Sequence, residues 1–279
     1  MKDVLEKIID NAQKALPQAL GDYLDADSGL LICGQCHTPK QCRIHPFGRE
    51  RLVSCLCQCG QEKRDADEAA QKEQERLERI GRLKANALQN KAFHAYAFAA
   101  DDGHNPALRY AHNYAEHWQE FYQRGQGLLL WGGVGTGKTF AAACIANALV
   151  EQCVPVLMTN FARILNSLSG LYSEDKNTYL ASFNQFSLLI IDDLGIERNS
   201  EYALEQVYNV VDSRYVSRLP FIITTNLSIT ELKNPRDLAH ARIYDRVLER
   251  CAPICFSVRN YRKESAVVNK NEAAKLLVD

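Results

Sequence analysis

Residues 127–152 read GLLLWGGVGTGKTFAAACIANALVEQ: a short apolar run, a glycine-rich turn, then a helical stretch. The turn, Gly132–Thr139, has the pattern G-x-x-x-x-G-K-T between a strand and a helix, the setting in which that pattern cradles phosphate. Gly132, Gly133, Val134, Gly135, Thr136 and Gly137 are expected to curl so that backbone N–H groups face the anion, helped by the positive end of the following helix. Lys138 is expected to reach the β- and γ-phosphates of ATP, and Thr139 to hold Mg2+ through its hydroxyl. The bland alternative is an ordinary glycine-rich turn.

Working outward, the alternation of short apolar run and helical stretch begins near Phe93 and continues through VPVLMTN from 154, SLLIIDD from 187, PFIITTN from 220 and APICFSV from 252. Near-continuous apolar strands separated by helices predict an α/β fold, a parallel sheet covered on both faces. Asp192 and Asp193 close one buried strand at its carboxyl end, where ligands of such sheets collect, and two adjacent acids there call for a cation. Asp192 is the expected Mg2+ anchor and Asp193 the group acting on the attacking water, with Glu197 a second candidate. Asn226 follows PFIITT and is expected to bond that water or the γ-phosphate; a turn or helix cap is the plainer role for a polar strand end.

Upstream, residues 61–84 carry seven acids and seven bases, which predicts a solvated helical linker. Residues 1–20 place Val4, Leu5, Ile8, Ile9, Ala12, Leu16 and Leu20 at helical spacing, an amphipathic helix that packs on its own protein or docks on another. Six of the ten cysteines fall between Cys33 and Cys59. Cys33, Cys36, Cys55 and Cys57 are the expected Zn2+ ligands, with His45 the leading substitute and Cys42 and Cys59 also available. Such a metal would be structural, since the segment has few large apolar residues. Cys144, Cys153, Cys251 and Cys255 lie in apolar surroundings and read as core residues. The expected division is 1–27 amphipathic helix, 28–60 zinc module, 61–92 linker, 93–265 nucleotide-binding core and 266–279 tail.

The chain carries 33 Lys plus Arg against 34 Asp plus Glu, a net charge of −1, which excludes a wholesale polycation; nucleic acid would have to be met through local patches. No apolar run reaches the roughly 18 residues of a membrane span, and the charged start is unlike a secretory signal, so a cytoplasmic protein without a membrane partner is expected.

The order of phosphate loop, LLIIDDLG, ITTN, ARIYDRV and VRNYRKE resembles the bacterial helicase loaders of the DnaC and DnaI type, within the AAA+ ATPases. The opening MKDVLEKIIDNAQKALP is similar to the amino end of DnaC proteins, while the cysteine segment is more like the DnaI branch and phage relatives. Transposon helper ATPases of the IstB type share the core motifs. The resemblance implies five parallel strands, the ITTN strand lying between those of the phosphate loop and the acid pair. It also implies an arginine finger at Arg246, with Arg242 as competitor, and a second sensor at Arg262. NFARILNSLSGLYSEDKNTYLASF resembles the segment whose helices line a single-stranded DNA path, with Phe161, Arg163 and Tyr202 as possible contacts and core packing the plainer role for Phe161. The short stretch after Lys263 predicts no helical lid, and a site open on that side predicts self-assembly through ATP.

The leading expectation is an ATP-dependent helicase loader of phage or prophage type, binding a hexameric replicative helicase and single-stranded DNA. The alternatives are a transposition helper ATPase and a zinc-bearing adaptor that uses ATP as a switch with negligible turnover.

Overall fold

The computed structural model describes residues 19–101, 103–195, 201–257 and 260–278. Nearly all of the expected N-terminal helix, and Glu197, lie outside them. The chain divides into two compact units, Met1–Leu77 and Glu78–Asp279, each taken by itself below.

In the first unit, β1 (Tyr23–Leu24) pairs antiparallel with β2 (Leu31–Ile32), and β3 (Gln41–Ile44) with β4 (Arg51–Ser54). Among the described residues of this unit the buried apolar side chains are Leu31, Ile32 and Val53, with Cys33 and Cys57. The helix α1 (Gln58–Ala87) follows, and the boundary between units falls within it. The expected linker extended to residue 92, but Ile80, Leu83, Ala87 and Leu88 pack into the core of the second unit, and Leu88 bridges Met158. Those apolar residues, too sparse for a heptad seam, serve the core instead.

The second unit contains α2 (Pro106–Glu116), α3 (Trp118–Arg124), β5 (Gly127–Trp131), α4 (Lys138–Glu151), β6 (Val156–Asn160), α5 (Phe161–Ser169) and α6 (Ser173–Ser182). These are followed by β7 (Leu188–Leu194), α7 (Glu201–Val216), β8 (Phe221–Thr225), α8 (Ile229–Lys233), α9 (Leu238–Arg250), β9 (Cys251–Cys255) and α10 (Tyr261–Val278). The sheet is parallel throughout, in the order β6-β7-β8-β5-β9, so the ITTN strand lies where it was expected.

Successive residues of a strand face opposite sides, and the two cores follow that rule. Leu128, Leu130, Leu188 and Ile190 pack with α2 and α4; Leu129, Leu189 and Ile191 pack with α5, α7 and α9. The helix α4 is buried on nearly every side, and Ala141, Ala142, Ala143 and Ala146 let it lie close to the sheet.

Two expectations need correction. Residues 266–279 were expected to be a tail, yet α10 runs through Val278, since YRKESAVVNKNEAAKLLV has no Gly or Pro to stop it. Cys144 and Cys251 are buried, but Cys153, in the turn after α4, is only half-buried, and Cys255, the last residue of the edge strand β9, is exposed. Among the described residues no helix is long and apolar enough to cross a membrane.

Candidate functional site

The phosphate loop leaves β5 at Gly132 and enters α4 at Lys138. Gly132 has φ +140°, and a Cβ there would lie 2.1 Å from the Phe256 carbonyl; Gly135 has φ +78°, and its Cβ would meet Asn260 Oδ1 at 2.4 Å. Neither position admits a side chain, which leaves the loop free to curl against its neighbours.

Lys138 is buried, and its Nζ donates to the carbonyls of Gly132 (2.8 Å) and Gly133 (2.7 Å) and to Asn226 Oδ1 (2.9 Å). Burial pulls its pKa down, against the opposing pull of Asp193 and Asp192. Thr139 Oγ1 donates to Asp192 Oδ1 at 3.0 Å, and Thr224 Oγ1 donates to the same oxygen at 2.6 Å. Burial, with Asp193 adjacent, raises the Asp192 pKa, and the two hydroxyls oppose that rise. A carboxylate so buried and so near a lysine and two hydroxyls is a ready cation ligand.

The acid pair does not simply end its strand. A bulge between Ile191 and Leu194 displaces the register against β8, and Asp193 sits at φ +62° with its N–H on Thr224 Oγ1 at 2.9 Å. Such bulges re-aim side chains, and Asp tolerates the left-handed region better than most residues. Lys138, Thr139, Asp192, Asp193, Asn226 and Arg262 line one cavity of about 670 Å³, together with Val134, Gly135, Thr136 and Gly137.

The same cavity is also lined by the apolar side chains of Phe93, Tyr96, Leu108 and Phe140. Tyr96 lies 5.4 Å from Phe93 and 5.1 Å from Phe140, centroid to centroid. Asn147, inside α4, holds this wall by donating Nδ2 to the carbonyls of Phe93 (2.9 Å) and Tyr96 (2.7 Å). Asn105 caps α2 and donates to the Thr136 carbonyl at 3.1 Å. Sequence reasoning missed the roles of Phe93, Tyr96, Asn105, Asn147 and Thr224. Only Asn105 carried a local signal, an Asn-Pro pair opening a helix.

Arg246 lies outside this cavity. Its Nε donates to Asp212 Oδ1 at 2.7 Å and its Nη2 to the Tyr208 hydroxyl at 2.8 Å, while its guanidinium stacks over Tyr208 and Tyr215. Arg242 is exposed on the same helix, its carbonyl accepting from Arg246 Nη1. Phe161 is buried in the core, whereas Arg163 is exposed and bonded to Gln89, and Lys176 lies over the exposed Tyr202 ring.

In the first unit Cys33, Cys36, Cys57 and Cys59 bring their sulfurs within 4.8 Å of one another. Cys55 was expected in place of Cys59, but its Sγ turns to the Pro39 carbonyl, because Cys55 directly follows β4 with its N–H held by the Lys40 carbonyl, while Cys59 lies in the first turn of α1. Sulfur separations of 3.6 Å (Cys33–Cys59) and 3.4 Å (Cys57–Cys59) are close to the ~3.8 Å set by four thiolates on one tetrahedral Zn2+. The Cys59 backbone N–H, with Thr38, pulls the Cys36 thiol down to about 5; Cys59, hydrogen-bonded to Cys57, Cys36 and Cys33, is pushed up to about 12. An all-thiol, tetrahedral donor set of this kind suits zinc.

A sequence profile of the family described as IstB-like ATP binding protein matches residues 62–268. The replicative helicase loader DnaI of Bacillus subtilis is 33% identical over 153 residues, covering 50% of this chain and 48% of DnaI, so the alignment spans about half that relative's length. The phage-like element PBSX protein XkdC of the same organism is 25% identical over 260 residues, 88% of this chain and 90% of XkdC. The crystal structure of DnaI shares the fold, with TM-score 0.53 and 24% identity over 64% of this chain and 99% of that one.

Proposed function

The chain belongs to the family of IstB-like ATP binding proteins, and from that premise we propose that it is an ATP-dependent helicase loader of the DnaC/DnaI type. It would act on a hexameric replicative helicase and on single-stranded DNA. The observation that carries the reading is one cavity with two chemistries, an aromatic end for a base and, at the carboxyl end of the sheet, Lys138, Thr139, Asp192, Asn226 and Arg262 for a triphosphate. Likeness to a replicative helicase loader and to a phage-like element protein favours loading over other ATPase work.

On this reading Lys138 exchanges its bonds to the loop carbonyls and Asn226 for the β- and γ-phosphate oxygens. Thr139 Oγ1 and Asp192 would hold Mg2+, which when bound neutralises phosphate charge. The Asp193 carboxylate accepts a proton from the attacking water, which Asn226 orients through its amide. Arg262 of the same subunit and Arg246 of a neighbouring copy meet the charge that develops on the transferring phosphoryl group. Because the γ-phosphate then touches two copies, ATP and ADP differ in how well they hold the assembly, and hydrolysis releases it. The N-terminal residues and a Zn2+ held by Cys33, Cys36, Cys57 and Cys59 would shape the surface that grips the helicase, while Arg163 and Tyr202 offer phosphate contact and stacking to single-stranded DNA.

The family's own description favours a second reading, a transposition helper, which predicts binding of duplex DNA and a transposase in place of a helicase. Copurification with hexameric helicases and with a transposase, with and without ATP, separates the two. For the ATPase itself, Lys138→Ala should lower steady-state hydrolysis at least about 100-fold with single-stranded DNA and helicase present. Equal rates for the two proteins would overturn the enzyme assignment and leave an ATP-binding adaptor.

A further inference from the structure

The start of α10 is bonded to the phosphate loop, and one side chain, Asn260, bonds both the helix and the loop. Asn260 Oδ1 accepts from the Lys263 N–H at 3.0 Å, which caps α10, while its Nδ2 donates to the Val134 carbonyl at 2.8 Å. Beside it the Tyr261 N–H donates to the Gly135 carbonyl at 2.9 Å. Gly135 has no Cβ just where the Asn260 side chain lies, so loop and cap are fitted to each other. Capping alone requires only an oxygen, which Ser, Thr or Asp supplies as well; the second, donating half of the amide is what reaches the loop.

Arg262 follows two residues later, in the first turn of α10, and lines the nucleotide cavity. A cation there opposes the helix dipole, so its position does not serve the stability of α10. A long, exposed arginine is also costly to order unless its backbone is already fixed relative to its target.

We propose that Asn260 is a positioning residue that ties α10 to Val134 and thereby fixes Arg262 over the phosphate loop. This rests on the ATP reading of the site and adds to it a residue that need not touch the nucleotide. Loss of the tie costs the contact that distinguishes ATP from ADP, and leaves the rest of the site in place.

The test is equilibrium titration of the full-length chain with fluorescent ATP and ADP analogues, alongside thermal melting. Asn260→Ala should weaken ATP binding about tenfold, the order of one hydrogen bond to a charged group, and ADP binding less than threefold. Arg262→Ala should do the same, and the double variant should be no worse than Arg262→Ala alone. Asn260→Ser, which keeps a capping oxygen but is too short to reach Val134, should melt with the unaltered chain and still lose ATP selectivity. Equal losses for both nucleotides, or losses that add in the double variant, would make Asn260 a merely structural residue and overturn the proposal. Unchanged ATP selectivity in Asn260→Ala would overturn it while sparing the ATP reading. Failure of the unaltered chain to bind either nucleotide would overturn both.

Discussion

The cysteine unit and the sheet unit hold themselves together by different means. Among its described residues the first has strands of two to four residues and three buried apolar side chains apart from cysteines; the second packs two apolar cores against opposite faces of a five-stranded sheet. A segment that cannot bury enough surface to offset its chain entropy requires a covalent or metal staple. Among the described residues the comparison sets a thiol cluster in one unit against packed apolar cores in the other.

The largest effect should come from the metal. Metal analysis of protein purified without chelator should return one zinc per chain, and strong chelation should unfold the first unit, with about 10 kcal/mol of apparent binding energy at stake. Calorimetry should show the melting of the second unit unmoved. Cys59→Ser should lose the zinc and Cys55→Ser should retain it; the reverse would reinstate the ligand set expected from spacing.

Arg214 tests the other side of the comparison. The residue is 1% exposed, its guanidinium donates to the carbonyls of Phe183, Phe186, Ser187 and Pro220, and burial pulls its pKa down to about 10. Arg214→Met leaves those carbonyls without their donor and should cost about 3 kcal/mol, a fall of roughly 6–12 °C in the second unit's transition. Zinc content should stay the same; coupled loss of metal would show that the two units do not stand independently.

The smallest effect concerns a site that the sheet unit maintains against its own stability. Asp192 has a folded pKa raised above its unfolded value, so its contribution to stability is present below the ordinary aspartate range and is lost as pH rises through the raised value. Asp192→Asn should therefore stabilise the nucleotide-free protein at pH 7 by about 1 kcal/mol, with no gain at acid pH, and should abolish Mg2+-dependent ATP binding. A variant less stable at pH 7 would mean that the hydrogen bonds from Thr139 and Thr224 outweigh burial.

The five strands of the sheet were legible because each is a short apolar run set between helical stretches, and the loop because its glycines and lysine are close together along the chain. Asp192 and Asn226 were legible from their place at strand ends. The bulge that puts Asp193 at φ +62° was not, since it depends on the register against β8. Phe93 and Tyr96 marked only the beginning of a domain until Asn147, about fifty residues away, was seen to hold their carbonyls. Arg246 was assigned by resemblance alone, and its bond to Asp212 gives that arginine a partner within its own subunit.

By itself, the sequence determined the α/β class, the phosphate loop and the supply of thiols, because these are written in residues adjacent along the chain or spaced by a helical or strand period. Only the tertiary structure decided that Cys59 joins the thiol cluster, that Phe93 and Tyr96 line the same cavity as the glycine-rich loop, and that Asn260 bonds both α10 and that loop. Each depends on where side chains from separate elements point once the chain has packed, a direction that no local pattern encodes.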